Sequence, residues 1–432
     1  MSDVVVIGAG LAGLGAAERL RSEGRDHLIL EKEERPGGHT RSYENLGYTF
    51  DEGPHVSFTS DEGFRAQLDD NVGGQFETVK AVVNNLWKGH WITHPAQVNL
   101  NGLPEDLVVG CVRDFVQAFH TEPGRPDNYA DWLLASFGET FARTFPMEYG
   151  HRYHTTEAAN MSTDWLGPRL YRPEIEEVLR GAISPTPADV HYIQEIRYPS
   201  LGGFESFLRP WYTTNQIECG QRVAGIDPEA GTVRMADGTR HQAGSIISSV
   251  PLPDLIPLVD RVPADVQEAA SLLAATVCVT VNIGVDRDDI SEAHWSYFYD
   301  RDISFVRTSY PHLLSPGTVP TGCGSVQAEH YYSTKYRPLD VSPQSLIEPT
   351  ISDLTRIGVL RETENVVFAE ARVLPHANVI FDLDRVEVLP IVLDHLRERG
   401  IETCGRFGEW GPHWTDQSFL SGEAAAQRAL DR

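Results

Sequence analysis

An α/β fold built on a parallel sheet is predicted by three observations near the start of the chain. The run Val4-Val5-Val6-Ile7 is apolar and rich in β-branched residues, the composition of a buried strand. Gly8, Gly10 and Gly13 follow it as G-x-G-x-x-G and open a stretch, Leu14 to Leu20, that reads as a helix. A second apolar run, Leu28-Ile29-Leu30, ends in Glu31, 23 residues after Gly8. Each glycine has a physical role: a tight turn, close backbone approach to a pyrophosphate, and close packing of helix on strand. The helix N-terminus presents free N–H groups and a positive dipole end to phosphates. Glu31 is placed to accept a hydrogen bond from a ribose 2′-hydroxyl. The pattern predicts a bound dinucleotide.

Composition narrows the class. A chain of 432 residues, 41% hydrophobic and 23% charged, has room for two or three domains and a large core. Its net charge of −26 argues against nucleic acid or an anionic membrane as partner, since both need a basic surface. The five cysteines are scattered and form no C-x-x-C, which fits reduced thiols in the cytoplasm and no metal site. No basic segment precedes Val4, so no signal peptide is expected. The uncharged run Ala269 to Val285 falls short of the roughly 20 residues of a span; it reads as a helix end and a buried strand, Val277–Ile283. A soluble cytoplasmic protein acting on a small molecule is the expectation, with the oligomeric state open.

After Glu31 come Arg35-Pro36-Gly37-Gly38-His39-Thr40-Arg41 and then Phe50-Asp51-Glu52-Gly53-Pro54-His55. The glycine pair permits close approach or positive φ, and Arg41 can sit over a phosphate. With these motifs the chain resembles the flavin-binding superfamily of amine oxidases, phytoene desaturases, protoporphyrinogen oxidases and UDP-galactopyranose mutases. The resemblance implies FAD rather than NAD, in an α/β, Rossmann-like FAD-binding domain of the GR2 flavoprotein type with an inserted helical and antiparallel-sheet substrate domain. Gly53-Pro54-His55, followed by Val56-Ser57-Phe58-Thr59, is closest to the mutase branch, where that loop lies beside the isoalloxazine ring.

The expected division is an FAD-binding domain in three parts, 1–61, 195–251 and 386–432, interrupted by a helical insertion, 62–194, and an antiparallel-sheet insertion, 252–385. Within the first insertion, aromatic and polar clusters at Asn84–Trp87 and Trp91–Pro95 precede helices at Leu107–Phe119 and Asn128–Gly138. Near Gln194 the chain is expected to return to the first domain, where Glu195–Phe204 resembles the family's crossover and Val223 matches a position whose backbone faces adenine. Asp237-Gly238 turns a hairpin that begins at Thr232, and Ser245–Val250 reads as a short buried strand. Strands are expected at Cys278–Val285, Trp295–Tyr299, Ser304–Thr308, Ser325–His330 and Val366–Val373.

The last segment resembles the family's C-terminal flavin motif. Gly405-Arg406 would approach the diphosphate, and Asp416-Gln417-Ser418 would open a helix toward the ribityl chain. The cofactor set implied is Gly8, Gly10, Gly13, Glu31, Gly38, Arg41, Gly53, Pro54, His55, Val223, Gly405, Arg406, Asp416, Gln417 and Ser418. The candidates for chemistry are His55, Arg169, Arg307 and Tyr332, with Tyr153 and Trp165 completing a pocket around Arg169. Two reactions follow from the resemblance. One is oxidation or desaturation of a small organic substrate by hydride transfer to flavin N5, with an external acceptor. The other is mutase-like action on a nucleotide sugar with no net redox change. Mutases carry tyrosine and aspartate just after the Gly-Arg turn, whereas here that stretch is Trp410-Gly411-Pro412-His413-Trp414.

Overall fold

The computed structural model describes residues 2–120, 124–167, 170–186, 195–363 and 365–432. Ser2–Ile7 lies at the centre of the first sheet, paired in parallel with His27–Leu30 on one side and Arg240–Ser248 on the other. Ile401–Thr403 and Ile217–Glu218 extend it, also in parallel. Side chains alternate between the two faces of a strand, and both faces here are covered. Val4, Val6 and Ile29 join a core with Leu14, Phe419 and Ala425, while Val5, Ile7, Leu28 and Leu30 join another with Val388, Val392 and Leu396. That explains why the strands read as continuous apolar runs.

The first helix, Leu11–Ser22, and the last, Thr415–Leu430, touch through glycines. A β-carbon on Gly422 would lie 1.9 Å from the Ala12 carbonyl oxygen, and one on Gly15 would lie 2.2 Å from that of Phe419. The two ends of the chain are thereby locked together over the first sheet.

The second sheet runs in the order Val366–Val379, Ala275–Val285, Gly324–Ser333, Arg307–Ser309, Trp295–Phe298, Val83–Trp87, His90–Thr93. Its last two strands come from the segment read as a helical insertion. They form a hairpin over Lys88-Gly89, whose φ values of +46° and +80° match the left-handed pair that a two-residue turn needs. The helices of that segment follow: Glu105–Phe119, Tyr129–Phe137, Glu139–Thr144, Pro146–His154 and Ile175–Ile183.

Three further details differ from expectation. Glu195–Pro199 pairs antiparallel with Phe76–Lys80 and not with the first sheet, which the chain rejoins only at Ile217. The strand expected at Ser304–Thr308 starts at Arg307. Buried Arg152 donates to the carbonyls of Phe298, Ile303 and Phe305 at 2.6–2.7 Å, and carbonyls taken by a guanidinium are lost to a ladder. Finally, the strand expected at Ser245–Val250 ends at Ser248 and is the last part of a longer strand, Arg240–Ser248, whose first residues pair in the hairpin and whose last ones pair in the parallel sheet.

Candidate active site

One cavity of about 1330 Å³ runs from the glycine turn, past the Gly53-Pro54-His55 turn, to the helices of the first insertion. Its first half is made of backbone. Gly8 holds φ +99° and donates its N–H to Leu30 O at 2.8 Å. A β-carbon on Gly13 would fall 1.9 Å from Gly8 O, so the helix can lie this close to the strand only with glycine there. Gly37 N–H donates to Ala9 O at 2.8 Å, and a β-carbon on Gly38 would sit 2.9 Å from Gly10 Cα. Two glycine turns are thus stapled face to face along the cavity. At its outer end the buried Glu31 carboxylate accepts from the N–H groups of Ala9 (2.7 Å) and Glu33 (2.9 Å).

The residues present fit FAD. Glu31 would supply the ribose acceptor and the paired glycine turns a bare backbone channel. On the far side Gly405, at φ +79°, donates its N–H to Ser421 Oγ at 2.6 Å. Arg406 donates to His413 O at 2.8 Å and to Asn378 Oδ1 at 3.2 Å, both neutral. Burial lowers its pKa from the usual guanidinium value, and an anionic group in the channel would relieve that cost. Arg41 pairs with Glu52 at 3.0 Å and keeps a buried Nε with no hydrogen-bond partner.

His55 lies at the middle of the cavity, its Nδ1 2.8 Å from Gly53 O. A carbonyl oxygen only accepts, so Nδ1 carries the proton and Nε2 is the acceptor. Burial pushes the imidazole down to about 4, and it is neutral at pH 7.

The second half is made of side chains. Arg307 donates from Nε and Nη2 to the two oxygens of Glu329 at 2.7 and 2.8 Å, and Tyr331 donates its hydroxyl to the same carboxylate. Burial is the largest influence and opposes the charge on Arg307, but Glu329 with Tyr331, Tyr149 and Tyr153 together hold the guanidinium's pKa above its ordinary value. Tyr149 stacks on Tyr153 with centroids 5.5 Å apart, and Tyr153 meets Tyr331 at 4.5 Å. Burial raises the pKa of all three phenols, which stay neutral. Trp165, whose indole N–H donates to Ser162 O at 2.9 Å, closes this end beside His154.

The expected residues divide accordingly. Gly8, Gly10, Glu31, Gly38, Arg41, Gly53, Pro54, His55, Val223, Gly405, Arg406 and Ser418 line the cavity, as does Arg307. Gly13 lies behind the turn. Asp416 and Gln417 do not line the cavity: Asp416 accepts from Thr59 Oγ1 at 2.7 Å, and Gln417 Oε1 accepts from Trp414 N–H at 3.0 Å. Tyr332 is a correction. It sits on the strand Gly324–Ser333, where Glu329 and Tyr331 face the cavity, so the odd step puts Tyr332 on the opposite face with His330. Arg169 lies outside the described residues. Tyr331 belongs to the aromatic wall that the composition of the second-sheet strands predicts, whereas Glu329 and Tyr149 are additions from the structure; the signal for Glu329 is a carboxylate inside an otherwise uncharged strand, opposite Arg307.

Residues 11–366 match the family model described as flavin containing amine oxidoreductase. The chain belongs to that family. Its cofactor is FAD, a flavin by family and a dinucleotide by the geometry of Glu31 and the glycine turns. Among solved structures this flavin amine oxidoreductase is similar to a reduced UDP-galactopyranose mutase, with 25% identity, TM-score 0.93, and coverage of 100% of this chain and 96% of the other. A putative protoporphyrinogen oxidase from Exiguobacterium sp. 255-15 shares the fold at TM-score 0.76 and 16% identity, covering 99% of both chains. Among curated proteins, the chloroplastic prolycopene isomerase of Arabidopsis thaliana is 37% identical over 262 residues, 56% of this chain and 41% of that protein. The lycopene-forming phytoene desaturase of Pantoea ananas is 48% identical over 56 residues, 13% of this chain and 11% of that protein. These matches span well under half the length of either relative. Among the described residues no helix is long and apolar enough to cross a membrane, and no cluster could hold a metal ion.

Proposed function

We propose that this chain is an oxidoreductase that removes hydride from a carbon bearing oxygen or nitrogen in a small, uncharged, polar substrate. The observation that carries this reading is the neutrality of the substrate half of the cavity. Arg307 is cancelled by Glu329 in a two-point pair, the phenols around it are un-ionised, and His55 is neutral. Such a wall offers hydroxyl donors and acceptors to a polar molecule, and Arg372, which also lines the cavity, is engaged over the Tyr43 ring at 3.5 Å. When bound, FAD supplies the two-electron acceptor. His55 Nε2 accepts a hydrogen bond from the substrate's O–H or N–H and orients the adjacent C–H bond. With its pKa at about 4 it does not hold the released proton at pH 7, which passes to water. Tyr149, Tyr153 and Trp165 exclude water from the reacting carbon.

The test is bleaching of the flavin absorbance under anaerobic conditions by a panel of secondary alcohols, neutral sugars and N-acetylated amino sugars. Loss of the band with one of them, at a rate that rises with its concentration, supports the reading; no bleaching by any opposes it. A second reading is favoured by the full-length likeness to the mutase. It is a rearrangement of a nucleotide sugar by the reduced protein, with no net redox change. Anaerobic incubation of dithionite-reduced protein with UDP-galactopyranose, followed by chromatography of the sugar nucleotide, separates the two. A new isomer supports the mutase reading and unchanged substrate the oxidoreductase.

A further inference from the structure

The long edge strand Val366–Val379 breaks step with its neighbour at one place. Leu374 pairs with Cys278 and Asn378 with Thr276, so four steps on the edge strand match two on its partner. The excess, Pro375 to Ala377, bulges from the sheet, and bulges of this kind re-aim side chains. Within it His376 holds φ +54°, a left-handed conformation uncommon outside glycine that histidine adopts more readily than most residues. The bulge turns His376 toward the contacts on either side of it.

On one side the bulge grips the Gly-Arg turn. Arg406 donates to Ala377 O at 3.4 Å and to Asn378 Oδ1 at 3.2 Å, and the His376 ring lies 6.0 Å from that of Phe407. On the other side His376 Nε2 stands 3.0 Å from Asp254 Oδ2. Asp254 belongs to the short helix Leu252–Leu255, six residues after the end of the strand Arg240–Ser248 and close behind Ser249, whose Oγ stands 2.4 Å from where a β-carbon on Gly8 would be. The contact therefore joins the second sheet to the glycine-turn edge of the first. Both residues line the cavity, and their side chains are 28% and 51% exposed, which places the contact at the cavity's rim. The hydrogen bond from His376 holds the Asp254 carboxyl below its usual range.

We propose that His376 and Asp254 form a strap between the two sheets that closes one flank of the dinucleotide cleft and retains bound FAD. The strap rests on the cofactor and is independent of the reaction proposed above. It predicts that FAD leaves faster when the contact is removed, while the cofactor-free protein, whose cleft has nothing to retain, is as stable as before. The test dilutes holoprotein without substrate and follows the rise of free FAD fluorescence. Asparagine accepts left-handed φ, so H376N removes the imidazole without adding backbone strain; D254A removes the acceptor. Each variant should release FAD about three- to fivefold faster, the scale of a single part-exposed hydrogen bond. The double variant should release it no faster than either single one. Unchanged release in both variants overturns the proposal, as do additive effects in the double variant. A fall in the thermal midpoint of the cofactor-free variants as large as that of the holoproteins also overturns it, since that is the mark of a merely structural contact.

Discussion

The two halves of the cavity are built from different materials. Around the dinucleotide the contacts are backbone: glycines where a β-carbon cannot fit, N–H groups at a helix start, and one carboxylate at a strand end. Around the substrate they are side chains brought from two strands, one helix and the turn that carries Trp165, held in place by one another. The first kind of site is fixed by local geometry and tolerates almost no added atom. The second is fixed by pairings, so it tolerates changes of shape better than changes of charge. Substitutions of each kind give the contrast a number.

The largest effect is expected at the backbone site. In Gly13→Ala the new β-carbon falls 1.9 Å from Gly8 O, an overlap with main chain that no side-chain rotation relieves. The helix must leave the strand, at a cost of at least about 3 kcal/mol. Expression should yield colourless or insoluble protein, and a yellow, folded G13A would break the contrast.

Next comes the pairing that neutralises the substrate half. Glu329→Gln keeps the shape and leaves Arg307 without its counter-charge. Breaking a buried pair costs about 3–5 kcal/mol; since the Arg307 side chain is 23% exposed and faces the cavity, about 2 kcal/mol is the better expectation after discounting for solvent. Denaturant unfolding measures it. FAD affinity should stay within about twofold of wild type, the difference between the two halves that this variant isolates.

A third test uses acid. His154 is buried against Trp165 with an unpartnered Nδ1, and burial pushes its pKa down to about 3. The ring is neutral in the folded state, while in the unfolded state it protonates below about 6.5. Stability from this group is therefore complete above pH 6.5 and is lost as the pH falls toward 3, by about 2 kcal/mol at pH 5. In His154→Phe that loss should vanish, so the variant gains on wild type at pH 5 relative to pH 8. Parallel stability curves for the two proteins would show that His154 is not what makes the chamber acid-sensitive.

The same division accounts for what could be read in the sequence. The glycine turn, Glu31, the Gly-Gly and Gly-Pro-His turns and the Gly-Arg turn are all legible, because backbone conformation is encoded within a few residues. The hairpin Val83–Trp87 and His90–Thr93 reads in the sequence only as aromatic and polar clusters. Its Lys-Gly turn is local, but its place in the second sheet depends on Trp295–Phe298, some two hundred residues away. The chamber was half legible for the same reason. Arg307 could be picked out as a basic residue among aromatics, yet Glu329 becomes its partner only through the register of two antiparallel strands.

Tyr331 and Tyr332 turn that lesson into the smallest and sharpest comparison. Composition makes them equivalent, and the sequence pointed to Tyr332. The pleat separates them: Tyr331 donates to the Glu329 carboxylate inside the cavity, and Tyr332 lies on the opposite face, half-buried near Arg337 and Asp340. Tyr331→Phe removes a charge-assisted hydrogen bond from a buried carboxylate and should cost about 1.5–3 kcal/mol. Tyr332→Phe should shift stability by less than about 0.5 kcal/mol. Neither hydroxyl reaches the glycine turns, so both variants should stay yellow. The two unfolding curves, read side by side, decide whether the register of one strand governs the chamber. Equal losses for the pair would mean that the two faces share the work, and Glu329 would then be held by more than the groups that touch it.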